Sequence, residues 1–176
     1  MSITNDWIIG NANTIVLDNF RDSWTGTVES DVTPYASLCL NASKPITNAT
    51  NTSPIVVTSA GHGLSTGDTI TIVDVGGNGA AKGTFVVTVT DANTFSLNGS
   101  TGDGGYTGGG EFYVCVTNAG GLALALVSAG TYLIDVSGTL PLTPLTNYVL
   151  IIYCLGAYRD LYNEMIRVVA RRRGLD

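Results

Sequence analysis

The chain has 176 residues, 44% of them hydrophobic and only 12% charged, with 22 glycines and a formal net charge of −6. This length supports one ample core or two small ones, and the acidic balance excludes a general nucleic-acid binder. So low a charged share, about half the usual one, means that the surface is covered by Ser, Thr, Asn and Gly or by other proteins.

The first segment runs from Met1 to about Ile46. Its start has neither the basic region nor the apolar run of a secretory signal. Asn13-Thr-Ile-Val-Leu-Asp-Asn-Phe20 predicts a strand, flanked by Trp7, Phe20 and Trp24 as core aromatics, and Thr25-Gly26 marks a turn. Pro34 to Leu40 predicts another, since Tyr35, Ser37 and Cys39 alternate with Ala36, Leu38 and Leu40. Lys44-Pro45 punctuates its end.

The second segment, about Thr47 to Gly110, is the most regular. Strands are expected at Ser53–Ser59, Thr69–Val75, Gly83–Thr90 and Thr94–Leu97, separated by turn-dense stretches such as Gly61 to Asp68 and Gly76 to Gly79. Four short strands with Gly/Asn turns describe a small sandwich or barrel that closes by itself. The glycine-rich run Gly102 to Gly110 reads as a flexible exit.

The third segment predicts strands at Phe112–Val116, Leu122–Val127, Gly130–Val136 and Asn147–Leu155. Its apolar run from Tyr148 to Leu155 is too short to span a bilayer. Between Asp160 and Arg171, a helical stripe of Leu161, Met165 and Val168 or Val169 competes with a strand face of Tyr162, Ile166, Val168 and Ala170; the strand is the preferred reading. The first segment has too few strands to close a core, so residues 47–110 are expected to be an insertion into a domain built from 1–46 plus 111–176. The flanks together have roughly the size of an immunoglobulin-like sandwich. The expected fold is therefore all-β: an Ig-like β-sandwich from both termini, interrupted by a small inserted β-barrel or sandwich. Cys39, Cys115 and Cys154, odd in number and inside strand-like runs, predict buried reduced thiols in a chain that folds in a cytoplasm.

Candidate chemistry is sparse. His62, the sole histidine, lies between two glycines without partners for a triad or zinc site, and a loop-tip or turn contact is expected. Asp68, Asp74, Asp91 and Asp103 lie near glycine-rich turns without EF-hand spacing, where aspartate usually bonds its own backbone. Gly102 to Gly110 lacks the Lys-Ser/Thr and helix of a phosphate loop. Glu29, Glu111 and Glu164 form no recognisable carboxylate pair, so neither enzyme activity nor a cofactor or metal is expected. Charge is uneven only at the end. Five of the six arginines, Arg159, Arg167, Arg171, Arg172 and Arg173, form a candidate interface for carboxylates of a neighbouring subunit.

The middle segment, through Ser53-Pro54, Ala60-Gly-His-Gly-Leu64, Gly67-Asp68, Gly83-Thr-Phe85 and Asp91-Ala-Asn-Thr-Phe-Ser-Leu97, resembles a β-module of bacteriophage tail and other virion proteins. That module is itself similar to the first catalytic-cysteine half-domain of ubiquitin-activating enzymes; this segment has no cysteine, so no such chemistry follows. More loosely, Asn13-Thr-Ile-Val-Leu17, Asp22 to Gly26, Gly130 to Val136, Tyr148 to Ile152 and Arg171-Arg-Arg173 resemble short Ig-like phage structural proteins. The resemblance implies a multi-copy virion protein: a head decoration or cement protein, or a neck component, that binds capsid or connector proteins; from the short apolar run and the acidic charge, neither membrane nor direct nucleic-acid contact is expected. A tail or baseplate component, or a host-surface glycan reader using Tyr106, Asn78 and Asn98, is the alternative.

Overall fold

A computed structural model describes residues 4–8, 13–17, 34–118, 121–129, 131–153 and 163–171. The strands in chain order are β1 (Thr4–Ile8), β2 (Asn13–Leu17), β3 (Tyr35–Pro45), β4 (Asn48–Ala49) and β5 (Ile55–Thr58). Then come β6 (Thr69–Gly76), a 3-10 turn at Gly79–Ala81, β7 (Gly83–Val89), β8 (Thr94–Leu97) and β9 (Gly108–Cys115). The last are β10 (Leu122–Ala123), β11 (Ala125–Ser128), β12 (Thr131–Val136), β13 (Asn147–Tyr153) and β14 (Asn163–Arg171). The chain is all-β, with no α-helix among the described residues.

The chain divides into two compact units: Met1–Leu38 with Gly121–Asp176, and Cys39–Gly120. One boundary falls inside β3. The second unit thus contains 47–110 together with strand stretches on either side of it.

The first unit is a β-sandwich drawn from both ends of the chain. One sheet has the order β1-β14-β13-β3, with β10 also on β3, and the other is β11-β12-β2. In β12, Tyr132, Ile134 and Val136 are buried while Asp135 is exposed, the alternation of a sheet with one dry face. β13 is buried throughout from Tyr148 to Tyr153, as expected of a central strand covered on both faces. The segment after Asp160 resolves as a strand from Asn163. β14 is antiparallel to β13 and parallel to β1 and so lies inside the sheet, where a helix could not satisfy both neighbours.

The second unit is a small closed barrel. Its pairing order is β3-β9-β6-β7-β8-β5-β4. β7 serves two neighbours in succession, β6 through Gly83–Val86 and β8 through Val87–Val89. The first and last strands of that order are consecutive in the chain. Between them Ile46 donates its N–H to the Gly110 carbonyl at 3.1 Å, extending the β3–β9 ladder, and Thr47 donates to the Thr58 carbonyl of β5 at 2.8 Å, so one continuous stretch bonds both ends of the order and closes it. The core contains Ile46, Ile55, Val57, Ile70, Ile72, Val87, Phe95, Leu97 and Phe112. Each large ring or branched side chain buried here contributes roughly 1.5–3 kcal/mol.

Two expectations are corrected in this unit. The Gly102–Gly110 run is a packed wall and not a flexible exit, because β9 already begins at Gly108 and the preceding residues press on the Gly76–Asn78 turn. A Cβ at Gly77 (φ +80°) would collide with the Gly105 carbonyl, and one at Gly110 (φ +93°) would sit 2.8 Å from Ile46 and Val75. Composition alone cannot separate a glycine that gives freedom from one that permits close approach. Secondly, Cys39 and Cys115 are a disulfide instead of two thiols. They stand directly opposite each other across β3 and β9, a pairing that only the strand register reveals.

Candidate functional site

The loops of the barrel held most of the polar residues that a ligand could use. His62 is buried, at 3% exposure. Its Nδ1 accepts the N–H of Leu64 at 2.9 Å, which places the proton on Nε2, and Nε2 donates to the Asp91 carbonyl at 2.8 Å. The ring also meets Phe95 edge to face, with centroids 5.2 Å apart. Both nitrogens are engaged by backbone, so the imidazole fastens the Ala60–Leu64 loop to the turn before β8. Lys44 adds a further hold, donating from Nζ to the carbonyls of Gly61 at 3.0 Å and His62 at 2.8 Å.

Asp91 and Asp68 bond their own turns. Asp91 Oδ1 accepts the N–H groups of Asn93 at 2.7 Å and Thr94 at 2.9 Å, while Oδ2 accepts the Thr94 hydroxyl at 2.8 Å. These donors, led by the Asn93 N–H, hold its carboxyl below the usual aspartate range. Asp68 Oδ2 accepts the Ser65 N–H at 2.8 Å, and Asp103 Oδ1 accepts that of Ala80 at 2.9 Å. Asp74 is exposed, with φ +57°. No group of three or more His, Cys, Asp or Glu converges among the described residues.

Of the three residues considered for a glycan, two are built into the unit. Asn78 is fully buried; its Nδ2 donates to the carbonyls of Thr50 at 2.9 Å and Ala49 at 3.4 Å, and its Oδ1 accepts the Asp103 N–H at 3.3 Å. The Tyr106 hydroxyl lies 2.8 Å from the Gly109 carbonyl and 3.2 Å from that of Ile46. Asn98 remains exposed, with its Oδ1 accepting the Thr88 hydroxyl. Glu111 accepts the Tyr113 hydroxyl at 2.6 Å; burial, with help from that carboxylate, pushes the phenol up.

The arginine cluster is only partly placed. Arg167 lies opposite Val149 of β13 and Thr4 of β1, and Arg171 lies opposite Ile8, so both belong to paired strand backbone and not to a loose tail. Arg159, Arg172 and Arg173 lie outside the described residues, as do Phe20, Trp24, Glu29 and Cys154. By backbone register Glu164 faces Ile152, and Trp7 faces Ala170.

What sequence reading missed is an uncovered apolar surface on the first unit. Val16 (51%), Leu126 (47%) and Val127 (61%) are large and exposed on the β11-β12-β2 sheet, Leu126 on the opposite face from Val16 because it pairs with the buried Tyr132. Val16 pairs with Leu133, and Leu133 with Ala125, so one row of this sheet is aliphatic across three strands. β11 is exposed at all four positions. The apolar run from Leu122 signals burial by its composition, yet Leu122 is half-buried, Ala125 to Val127 are exposed, and among its described side chains only Leu124 is buried. Neither family models nor curated proteins give a match to this chain.

Proposed function

We propose that this protein is a non-catalytic structural component of a bacteriophage virion, present in many copies. In this reading it is a head decoration or cement protein, or a head–tail neck component, bound to capsid or connector subunits. The two-terminus unit is the attachment part, with Arg159, Arg167, Arg171, Arg172 and Arg173 contributing pairs to acidic neighbours, and residues 47–110 supply the inserted module. The observation that carries the reading is the uncovered aliphatic row on β2, β12 and β11. A surface of this kind is costly in a lone protein and ordinary at a subunit interface. The motif resemblance of the inserted segment supports the choice of a virion over other assemblies. The barrel loops favour an interaction role over ligand reading, because Asn78, Tyr106 and His62 are spent on their own backbone.

Mass spectrometry and a cryo-EM map of purified particles test this directly. The chain is expected at a fixed stoichiometry, with the β11 side against a neighbour. Val16→Asp with Ala125→Asp, both exposed and both in that row, is expected to fold but to be missing from particles. Particles that lack the wild-type chain, or that carry the doubly charged variant at full occupancy, refute the proposal.

A further inference from the structure

We propose that Cys39 and Cys115 form a thiol–disulfide exchange site, in which Cys115 is the sulfur that meets small-molecule thiols and disulfides and Cys39 is the resolving sulfur. The two face each other in register across β3 and β9. Their environments differ in the way that such a division of labour requires. Cys39 has no exposed surface, whereas Cys115 is partly exposed. A buried sulfur is shielded from an external reagent but is already in place to attack a neighbour on the opposite strand.

Thr71 completes the site. Its hydroxyl lies 3.2 Å from Cys115 Sγ and 3.7 Å from Cys39 Sγ, and 2.8 Å from the hydroxyl of Thr84. Accepting from Thr84, the Thr71 hydroxyl can donate to the nearer sulfur and favour its thiolate, the form that reacts. Thr71 is therefore a positioning residue that acts through Cys115.

The exchange balances with a low-molecular-weight disulfide such as glutathione disulfide as the oxidant. The Cys115 thiolate attacks one sulfur of that disulfide, forming a mixed disulfide and releasing one thiolate. Cys39, after losing its proton to solvent, attacks the Cys115 sulfur, closes the protein disulfide and releases the second thiolate. The two cysteines lose two electrons and two protons in all, and the reagent becomes two thiols. Reduction runs the same path backwards with a small thiol. The site is independent of the virion reading. Its effect is to fasten the two strands at the root of the barrel under oxidising conditions and to release them under reducing ones.

The test uses the full-length chain carrying Cys154→Ser, so that only this pair can react. With Cys39→Ser added, glutathione disulfide is expected to leave a stable mixed disulfide on Cys115, seen by intact mass. With Cys115→Ser instead, Cys39 is expected to react slower by on the order of tenfold or more. Thr71→Val, added to the Cys39→Ser protein, is expected to move the pH midpoint of Cys115 alkylation upward. A merely structural threonine would leave that midpoint where it was. Should Cys39→Ser fail to fold, brief reduction of the Cys154→Ser protein followed by pulsed alkylation gives the same answer, because Cys115 is expected to be labelled first. Faster labelling of Cys39, or two free thiols persisting in folded protein at equilibrium with excess glutathione disulfide, overturns the proposal.

Discussion

Replacing His62 with alanine removes a fastening that holds one barrel loop to another, and its cost follows from three contacts. The buried N–H of Leu64 loses its acceptor, at a cost of about 1–3 kcal/mol. The edge-to-face contact with Phe95 is lost, for about 0.5–1.5 kcal/mol. The Asp91 carbonyl is only partly buried and recovers a bond from water, so it adds little. The expected destabilisation is about 3 kcal/mol, or on the order of 15 °C in melting temperature for a unit of this size. It should be confined to the barrel. Both tryptophans of the chain, Trp7 and Trp24, belong to the first unit, so tryptophan emission reports that unit while amide exchange of β5 and β8 reports the barrel. His62→Ala is expected to speed exchange at Val57 and Phe95 and to leave the tryptophan transition in place. His62→Phe keeps a ring against Phe95 and is expected to recover about 1 kcal/mol. Unchanged exchange in the alanine variant, or a phenylalanine variant as stable as wild type, refutes the fastening role.

Further outcomes follow from the same geometry. The carboxyl of Asp91 is held below its unfolded value near 3.9, so its stabilisation is complete above that pH and is lost as pH falls through the lower folded value. Asp91→Asn is thus expected to flatten the decline of barrel stability below about pH 4, read from urea midpoints across an acid series. Gly77→Ala drives a methyl into the Gly105 carbonyl and is expected to cost several kcal/mol, roughly the top of the range for point changes. Gly110→Ala, which meets the Ile46 and Val75 side chains at 2.8 Å and not a backbone carbonyl at closer range, is expected to cost less, and calorimetry of the pair checks the order. Excising residues 40–118 and joining the strands through an Asn-Gly turn is expected to leave a folded β-sandwich. Ala36 already pairs with Leu122, so β3 and β10 need only a hairpin. A remainder without cooperative tryptophan-detected unfolding would show that the first unit depends on its insertion.

Much of the fold was legible because it rests on local alternation. Thr94–Leu97 was read residue for residue, and Thr69, Gly83, Tyr35 and Asn147 each lie within a residue of where alternation or a turn places a strand start. β1 was not legible: Thr4–Ile8 has little apolar pattern, and its pairing comes from β14, far away in sequence. β4 is two residues long and exists because Ile46 turns the chain to close the barrel. At the candidate sites the same division holds. The turns of Asp68 and Asp91 were visible, since their bonds reach only two or three residues, whereas Asp103 bonds Ala80, 23 positions away. The burial of His62 and Asn78 was not, because it depends on Asp91, Thr50 and Asp103, brought close by the barrel. The disulfide was hidden for the same reason, its cysteines being 76 positions apart.

The Cys39–Cys115 bond also decides how the molecule carries load. Tension drawn along the backbone from either end reaches one sulfur and crosses to the other, leaving the intervening chain slack. At about 3.4 Å per residue, the bypassed stretch of 76 positions hides roughly 250 Å of length. While the bond stands, a pull on the two ends of the chain acts on the sandwich and not on the barrel. Once it is reduced, the same pull can pay out the whole hidden length.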